Sequence, residues 1–398
     1  MATHLGRGTG GLRFDRRVRR RRLPAGGAGR GRIAGPLTGG LPPPEVAGRL
    51  DRLRAGFDVA GVDALVVTNP TNIRYLTGFT GSAGELLVGA DAALLVTDGR
   101  YAEQAPTQVA ESGTEVAIAG TDRRSLVVDR LRGSDRVGLE AGSVTWSEQR
   151  RLADWFDGSG LVATEGLVEE LRQVKDEGEV ARIEAAAAIA DAALADAVEL
   201  LAVGVSERDV AAAIDHGIRT RGADDRAFVT IVAAGPNSAL PHARPTDRTL
   251  REGDLVVCDF GSVVDGYRSD MTRSFRVGGR AGGQEDEMRD AVRAAQAAGL
   301  ASVADGVPLA EVDAACRGVL ADADLADAFL HGTGHGVGLD IHEAPTLSGS
   351  ATGTLRTGHV VTVEPGAYLA GLGGVRWEDT VLVTDDGHRA LTRAPRAD

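Results

Sequence analysis

The sequence predicts a larger α+β body preceded by a smaller α/β domain. Three observations carry that prediction. From Glu45 to about residue 165, helix-like and strand-like segments alternate, the pattern of layered α/β structure. From about residue 180, helices come in pairs followed by runs of strands, which is the α+β pattern. A chain of 398 residues also suffices for more than one core.

Residues 1–44 precede both domains and read as a disordered arm rich in Arg, Gly and Pro. They hold ten Arg and one Asp, a balance of +9, so the formal charge of −13 leaves −22 on residues 45–398. So acidic a body argues against a nucleic-acid enzyme, because a polyphosphate backbone would be repelled. A misassigned start of translation is a second account of the arm. No apolar run approaches the ~18–20 residues of a membrane span, and the arm lacks the apolar stretch of a signal peptide. The expectation is a cytoplasmic protein with no membrane or nucleic-acid partner. Cys258 and Cys316 are too few for a disulfide framework and read as free, buried thiols.

In the smaller domain, residues 45–166, Val46, Leu50, Leu53 and Phe57 have helical spacing. Residues 63–69 read as a strand, closed by Pro70 and the polar Thr71 and Asn72. Further strands fall at 92–97, 115–119 and 136–140, with helices at 101–110 and 125–131. The longest helical stretch, 167–201, opens the larger domain, 167–398; its charged start looks like a connection and Gly178 reads as a helix break. Then come a helix at 206–221, strands at 228–234, 255–263 and 267–277, helices at 285–304 and 308–323, and strands at 359–364 and 374–384. The order helix, helix, strands occurs twice, a hint of internal duplication.

Two apolar strands flank Asp265-Gly266, a common hairpin turn pair, and put Asp259 and Asp270 on one face. If the turn centres on 264/265 the two acids are directly opposite; if on 265/266 they are diagonal. Facing acids repel, and Asp259 interrupts an apolar run where an unpartnered carboxylate is expensive to bury. A cation offsets both costs. So would a shared proton, or Arg268 or Arg273 at a solvated face.

His331, His335 and His342 fall within twelve residues, out of eight histidines in the chain, too dense for core filler. Gly332, Gly334 and Gly336 argue against a helix there; they let backbone approach closely whatever the histidines hold. Glu364 and Glu378 stand in or at the end of apolar strands, which disfavour glutamate. Singly, each has a plain reading: a turn before Pro365-Gly366, or an ion pair with Arg376. Together, four carboxylates and one imidazole without a thiolate suit Mn2+, Co2+, Fe2+ or Zn2+. Bridging carboxylates would hold two such ions about 3.5–4 Å apart with a hydroxide between them, a centre for hydrolysing an amide or ester.

These motifs resemble the creatinase/aminopeptidase P/prolidase family of metallopeptidases, and the likeness covers nearly all of the chain past the arm. Residues 71–79, Thr71-Asn72-Ile73-Arg74-Tyr75-Leu76-Thr77-Gly78-Phe79, are similar to a strand-loop segment of that family. Pro241-His242-Ala243-Arg244-Pro245-Thr246 looks like its substrate-side histidine loop. The resemblance implies a pita-bread catalytic domain after a creatinase-like α/β domain. It implies Asp259, Asp270, His335, Glu364 and Glu378 as ligands of two divalent ions per subunit, Mn2+ first among them. Glu364 would also shuttle a proton, and His242 and His342 would hydrogen-bond the scissile carbonyl or the oxyanion. Arg376 would orient the Glu378 carboxylate. His331, Tyr368 and Phe228 would meet the substrate, Phe228 as a wall of the proline pocket.

The implied activity is hydrolysis of Xaa-Pro bonds, in dipeptides (prolidase) or longer peptides (aminopeptidase P), by a homodimer. Three alternatives share the fold. A methionine aminopeptidase generally lacks a domain like 45–165, a creatinase-type amidinohydrolase lacks the metal set, and a binding protein would have lost ligands. A dinucleotide binder is disfavoured, because the glycines at 332–338 and 78–84 do not form G-x-G-x-x-G between a strand and a helix.

Overall fold

Short, fully apolar strands must be covered on both faces, and in the amino-terminal domain they are. The computed structural model describes residues 40–156, 160–279 and 283–395. There β1 (Ala64–Val67), β2 (Glu85–Val88), β3 (Ala93–Thr97), β4 (Glu115–Ile118), β5 (Val137–Glu140) and β6 (Leu161–Thr164) form one sheet, in the order β4-β3-β2-β1-β5-β6. β1, β5 and β6 are parallel, as are β3 and β4, while β2 runs antiparallel to both neighbours. Alternation divides the side chains between two cores. Leu65, Val67, Leu86 and Leu95 pack with Leu50 and Leu53 of α1 (Arg49–Arg54), Phe57 of α2 (Phe57–Ala60) and Ile73 and Leu76 of α3 (Pro70–Thr77). Val66, Leu87 and Val96 pack on the other side. Beyond α4 (Gln104–Gln108), their partners include Val127 of α5 (Arg123–Arg130) and Leu152 of α6 (Trp146–Trp155).

Several expectations change. β2 was not anticipated. α3 occupies the segment expected as a turn and loop: Asn69 caps it by accepting from the Thr71 N–H, and Pro70 opens it with its fixed φ. The 167–201 stretch is two helices, α7 (Leu167–Gln173) and α8 (Glu177–Ala197). The break lies at 174–176, where Asp176 and Glu179 form a capping box, and not at Gly178. At Gly178 a Cβ would fall 2.2 Å from the Pro43 carbonyl oxygen, so the glycine admits a crossing chain. Of the expected arm, residues 1–39 lie outside the described residues. Leu41 packs on the larger domain's core and the Pro42 carbonyl accepts from Arg182, so the chain is fastened before the expected boundary at 44.

The larger domain consists of two similar halves. In the first, α8 and α9 (Glu207–Thr220) cover a sheet of β8, β9 and β12. Its strands are β7 (Asp225–Arg226), β8 (Ile231–Ala234), β9 (Leu255–Phe260), β10 (Ser262–Val264), β11 (Tyr267–Arg268) and β12 (Met271–Arg276). In the second, α10 (Gln284–Ala301) and α11 (Leu309–Asp322) cover strands β13 (Gly334–Gly336), β14 (Glu343–Leu347), β15 (Val360–Val363), β16 (Gly366–Leu369), β17 (Gly373–Arg376), β18 (Asp379–Thr384) and β19 (Gly387–Ala390). Five of these form the sheet β14-β13-β15-β18-β19, and β16 pairs with β17. The helix-pair order seen in the sequence is thus present twice in space.

Two charged clusters sit where the domains meet, and each has a bond that crosses, Arg172–Asn72 and Arg74–Asp265. Glu343 takes Arg172 Nη2 at 2.5 Å and Lys175 Nζ at 2.8 Å, and Arg172 also reaches Asp340 at 2.7 Å and Asn72 at 2.8 Å. At the hairpin tip, Asp265 is held by Arg74 at 2.7 Å and Arg182 at 2.6 Å. Among the described residues no helix is long and apolar enough to cross a membrane. Cys258 and Cys316 are free and buried, and burial pushes both thiols up to about 12.

Candidate metal centre

The hairpin register follows from its turn. Asp265 and Gly266 both take positive φ, 45° and 75°, and Val264 pairs with Tyr267. Asp259 therefore lies opposite Thr272, and Asp270 is its diagonal neighbour. In the second half, Val363 pairs with Asp379, so Glu364 and Glu378 leave adjacent strand ends side by side. Gly334 allows β13 to close on β15: a Cβ there would lie 2.0 Å from the Thr362 carbonyl oxygen. That approach sets His335 against the glutamates. All five expected ligands line one cavity of about 590 Å³.

Asp270, His335 and Glu378 converge, their ligand atoms within 4.8 Å of one another. His335 Nδ1 lies 3.0 Å from the Gly336 carbonyl, which places the proton on Nδ1 and leaves Nε2 as a donor to a metal. Nε2 stands 3.2 Å from Glu364 Oε1 and 3.7 Å from Asp270 Oδ2. A lone pair facing two carboxylates needs a proton or a cation between them. Burial alone would lower the His335 pKa, but Glu364 outweighs it and raises it. Burial alone would raise Glu364, but the His335 hydrogen bond outweighs that and holds the carboxyl at about 2.

Asp270 and Glu378 lack such help among the described residues. Burial pushes Asp270 and Glu378 well above the usual carboxylate range, and neighbouring carboxylates add to it. Asp259 is also raised by burial, with Arg376 opposing. Asp259 Oδ1, Asp270 Oδ1 and Glu378 Oε1 are buried without a hydrogen-bond partner among the described residues. Three orphaned oxygens in one cavity are costly unless something from outside satisfies them. Hard carboxylate oxygens with one imidazole are donors that divalent ions accept, so the residues fit such ions.

Arg376 does not point at Glu378, as the resemblance had implied. Its Nη2 donates to Asp259 Oδ2 at 2.5 Å and its Nη1 to the Tyr368 hydroxyl at 2.7 Å. Its Nε donates to Thr272 Oγ1 at 3.1 Å, and that hydroxyl donates to Glu378 Oε2 at 2.7 Å. Arg376 thus reaches Glu378 only through Thr272, which sequence reasoning missed. The signal was available: Thr272 is the residue facing Asp259 in the second of the two registers. Neither Arg268 nor Arg273 meets the two acids: Arg268 donates to the carbonyls of Ala227 and Leu339, and Arg273 to Asp379 and to the backbone carbonyls of Thr272 and Glu378.

Tyr368 is not among the residues that line the cavity. Its hydroxyl accepts from Arg376 and donates to His331 Nε2 at 2.9 Å. His331 Nδ1 meets the Gly332 carbonyl at 2.8 Å, and burial lowers its pKa, so a neutral ring faces the cavity. His342 meets His335 edge-on with ring centres 4.3 Å apart; burial and then His335 lower its pKa. His242 and Phe228 line the cavity with Ile231 and Ile341. Arg244 and Thr346 line it too, and neither had been singled out as a site residue.

Known proteins share this arrangement over most of the chain. Residues 181–385 match metallopeptidase family M24, and residues 49–174 match the creatinase/prolidase N-terminal domain. An uncharacterized peptidase of Bacillus subtilis strain 168 is 39% identical over 87% of this chain and 98% of that protein. Among solved structures, an Xaa-Pro dipeptidase from Bacillus anthracis is 37% identical with a TM-score of 0.85, covering 88% of this chain and 98% of its own. An X-Pro aminopeptidase from Thermotoga maritima MSB8 is 32% identical with a TM-score of 0.79, covering 86% and 99%.

Proposed function

The chain belongs to metallopeptidase family M24, and from that membership and the open carboxylate cluster we propose that it hydrolyses peptides with proline at the second position. In this reading two divalent ions are held by Asp259, Asp270, His335, Glu364 and Glu378. The observation that carries it is the set of buried oxygens on Asp259, Asp270 and Glu378 that protein groups leave unsatisfied. Bound there, divalent ions supply Lewis acidity that activates water and polarises the scissile carbonyl.

The chain's own groups do the rest. Glu364 takes the proton of the attacking water and returns it to the leaving nitrogen. His242 and His342 donate to the carbonyl oxygen as it gains charge. Arg376 fixes Asp259 directly and Glu378 through Thr272, while Tyr368 fixes the His331 ring. Phe228, Ile231 and Ile341 offer an apolar wall to the pyrrolidine ring. The hard donor set supports Mn2+ as the first assignment. Family likeness supports a homodimer in the cytoplasm, and a division of labour between residues 45–166 and a catalytic domain at 167–398.

Dialysis against a chelator should abolish cleavage of Ala-Pro and Ala-Pro-Ala, and Mn2+ or Co2+ should restore it. No metal-dependent cleavage of either peptide would overturn the proposal.

A further inference from the structure

Asp313 is the fifth residue of α11 and fully buried, so it caps no helix end and meets no solvent. It does not line the cavity either. Donors meet both of its oxygens. Oδ1 accepts from the Thr333 N–H at 3.1 Å and from the Thr333 hydroxyl at 2.9 Å, and Oδ2 accepts from Arg317 Nε at 2.7 Å. An amide could not take its place, since one of its two ends would be a donor facing a donor. A buried carboxylate is costly, and outside its own helix this one serves a single residue, Thr333.

Thr333 lies between His331 and His335 in the chain, and its carbonyl accepts the Glu364 N–H at 2.8 Å. It is therefore the one residue between Asp313 and the backbone of Glu364. Arg317 secures the segment just before it. Nη2 donates to the His331 carbonyl, and Nη1 donates to the Phe329 carbonyl at 3.3 Å. The guanidinium also stands 4.3 Å from the centre of the Phe329 ring, which meets the His331 ring edge-on at 5.1 Å. With Asp313 gripping Thr333 and Arg317 gripping the residues before it, the carbonyl that receives Glu364 has little room to drift.

We propose that Asp313 is a positioning residue for the hydrolysis: through Thr333 it sets the backbone from which the Glu364 carboxylate reaches the attacking water. The inference rests on the role given to Glu364 above. A misplacement of about 1 Å can cost on the order of a hundredfold in rate. A group that acts on the water rather than on the substrate shows that loss in kcat and not in KM.

Two measurements test this together: steady-state kinetics on Ala-Pro at saturating Mn2+, and deuterium exchange of the metal-free protein read by mass spectrometry. Asp313→Asn should lower kcat by about 10- to 100-fold and leave KM within about threefold of wild type. Peptides spanning Glu364 should exchange about tenfold faster, while those of β9 and β12 keep their wild-type rates. Thr333→Val removes only the hydroxyl's bond to Asp313 and should lower kcat by about 3- to 10-fold; it carries the test if Asp313→Asn does not fold. Glu85, buried beside Arg123 and Arg151 in the amino-terminal domain, supplies the control. Glu85→Gln should lower the urea midpoint and leave kcat and Glu364 exchange alone. Unchanged exchange at Glu364 in both variants overturns the role, and so does a control that loses kcat to the same extent. If the wild type itself cleaves no Xaa-Pro peptide, the activity proposed above falls and takes this role with it, so the two failures are distinct.

Discussion

Glu343 and Glu378 are both buried glutamates of the larger domain, and they are treated in opposite ways. Glu343 has Arg172 on one oxygen and Lys175 on the other; burial would raise its pKa, but those two cations hold it below the usual range. Glu378 has Thr272 on one oxygen and, among the described residues, no hydrogen bond on the other, and burial drives its pKa well above that range. Asp270 follows Glu378. In the first cluster both oxygens of the acid meet cations, and the Arg172–Asn72 hydrogen bond ties it to the amino-terminal domain. The second is open, and an open set of buried acids points to a partner that the chain does not encode.

Neutralising one acid from each cluster would break or sharpen this contrast. Asp270→Asn should lower kcat/KM by about a thousandfold or more, because a lost ion forfeits several kcal/mol of transition-state stabilisation. Metal content measured by emission spectrometry should fall with it. Yet in chelator the same variant should unfold in urea at or above the wild-type midpoint, since an uncompensated buried charge is gone. Glu343→Gln should do the reverse. It strands Lys175, leaves Arg172 with Asp340 and Asn72, and should destabilise by about 3–5 kcal/mol with metal or without. Coincident urea midpoints for that variant and the wild type would show that pairing both oxygens does not stabilise the fold.

The two acids should also respond oppositely to pH. The folded pKa of Glu343 is below its ordinary 4.5, so its contribution is complete above about 4.5 and is lost as pH falls through the folded value. The stability gap between Glu343→Gln and wild type should therefore narrow on acidification. Asp270 is raised above its ordinary 3.8 in the metal-free protein. Its favourable contribution is present at low pH and is lost as pH rises, so Asp270→Asn should gain on the wild type in chelator. Urea titrations over a pH series check both slopes.

Smaller effects refine the picture. Thr272→Val cuts the link from Arg376 to Glu378 and should cost about 10- to 100-fold in activity or metal affinity, as loss of an outer-shell partner does. An affinity titration with Mn2+ and a kcat/KM measurement would locate the loss. Arg74→Ala removes a charged pair that is partly exposed on both sides and should change stability by less than about 1 kcal/mol. A larger shift in a urea melt would mean that exposed fastenings matter as much as buried ones.

What the sequence disclosed follows the range of the forces involved. The hairpin was legible because Asp265-Gly266 fixes a local register, leaving only two alternatives to choose between. The helices of the larger domain and their paired order were legible from periodicity, whereas β13, β14, β16 and β19 were not anticipated and the strand expected at 374–384 is two, β17 and β18. β2 was not legible either, being only four residues long and opening on a glutamate. α3 was obscured by its own cap, since Asn69 and Pro70 serve a turn and a helix start equally well. Gly178 was misread because its reason is a contact with Pro43, 135 positions earlier. The Arg376–Asp259 pair spans 117 residues and the Arg172–Glu343 pair 171, separations at which spacing carries no information. The five ligands could be named in order from resemblance, while the unsatisfied oxygens that give them physical meaning appear only in three dimensions.

The chain crossing above Gly178 sets a limit for anyone who trims this protein. Arg182 holds the Pro42 carbonyl with Nη1 at 2.6 Å and the Asp265 carboxylate with Nε at 2.6 Å. One side chain thus ties the leading segment to the turn of the strands that carry Asp259 and Asp270. A truncation that starts before Pro42 keeps the tie, whereas one that starts at Glu45 removes only a proline-rich stub yet slackens the far end of that hairpin. The safe cut is set by a guanidinium, a few residues upstream of where composition alone would place it.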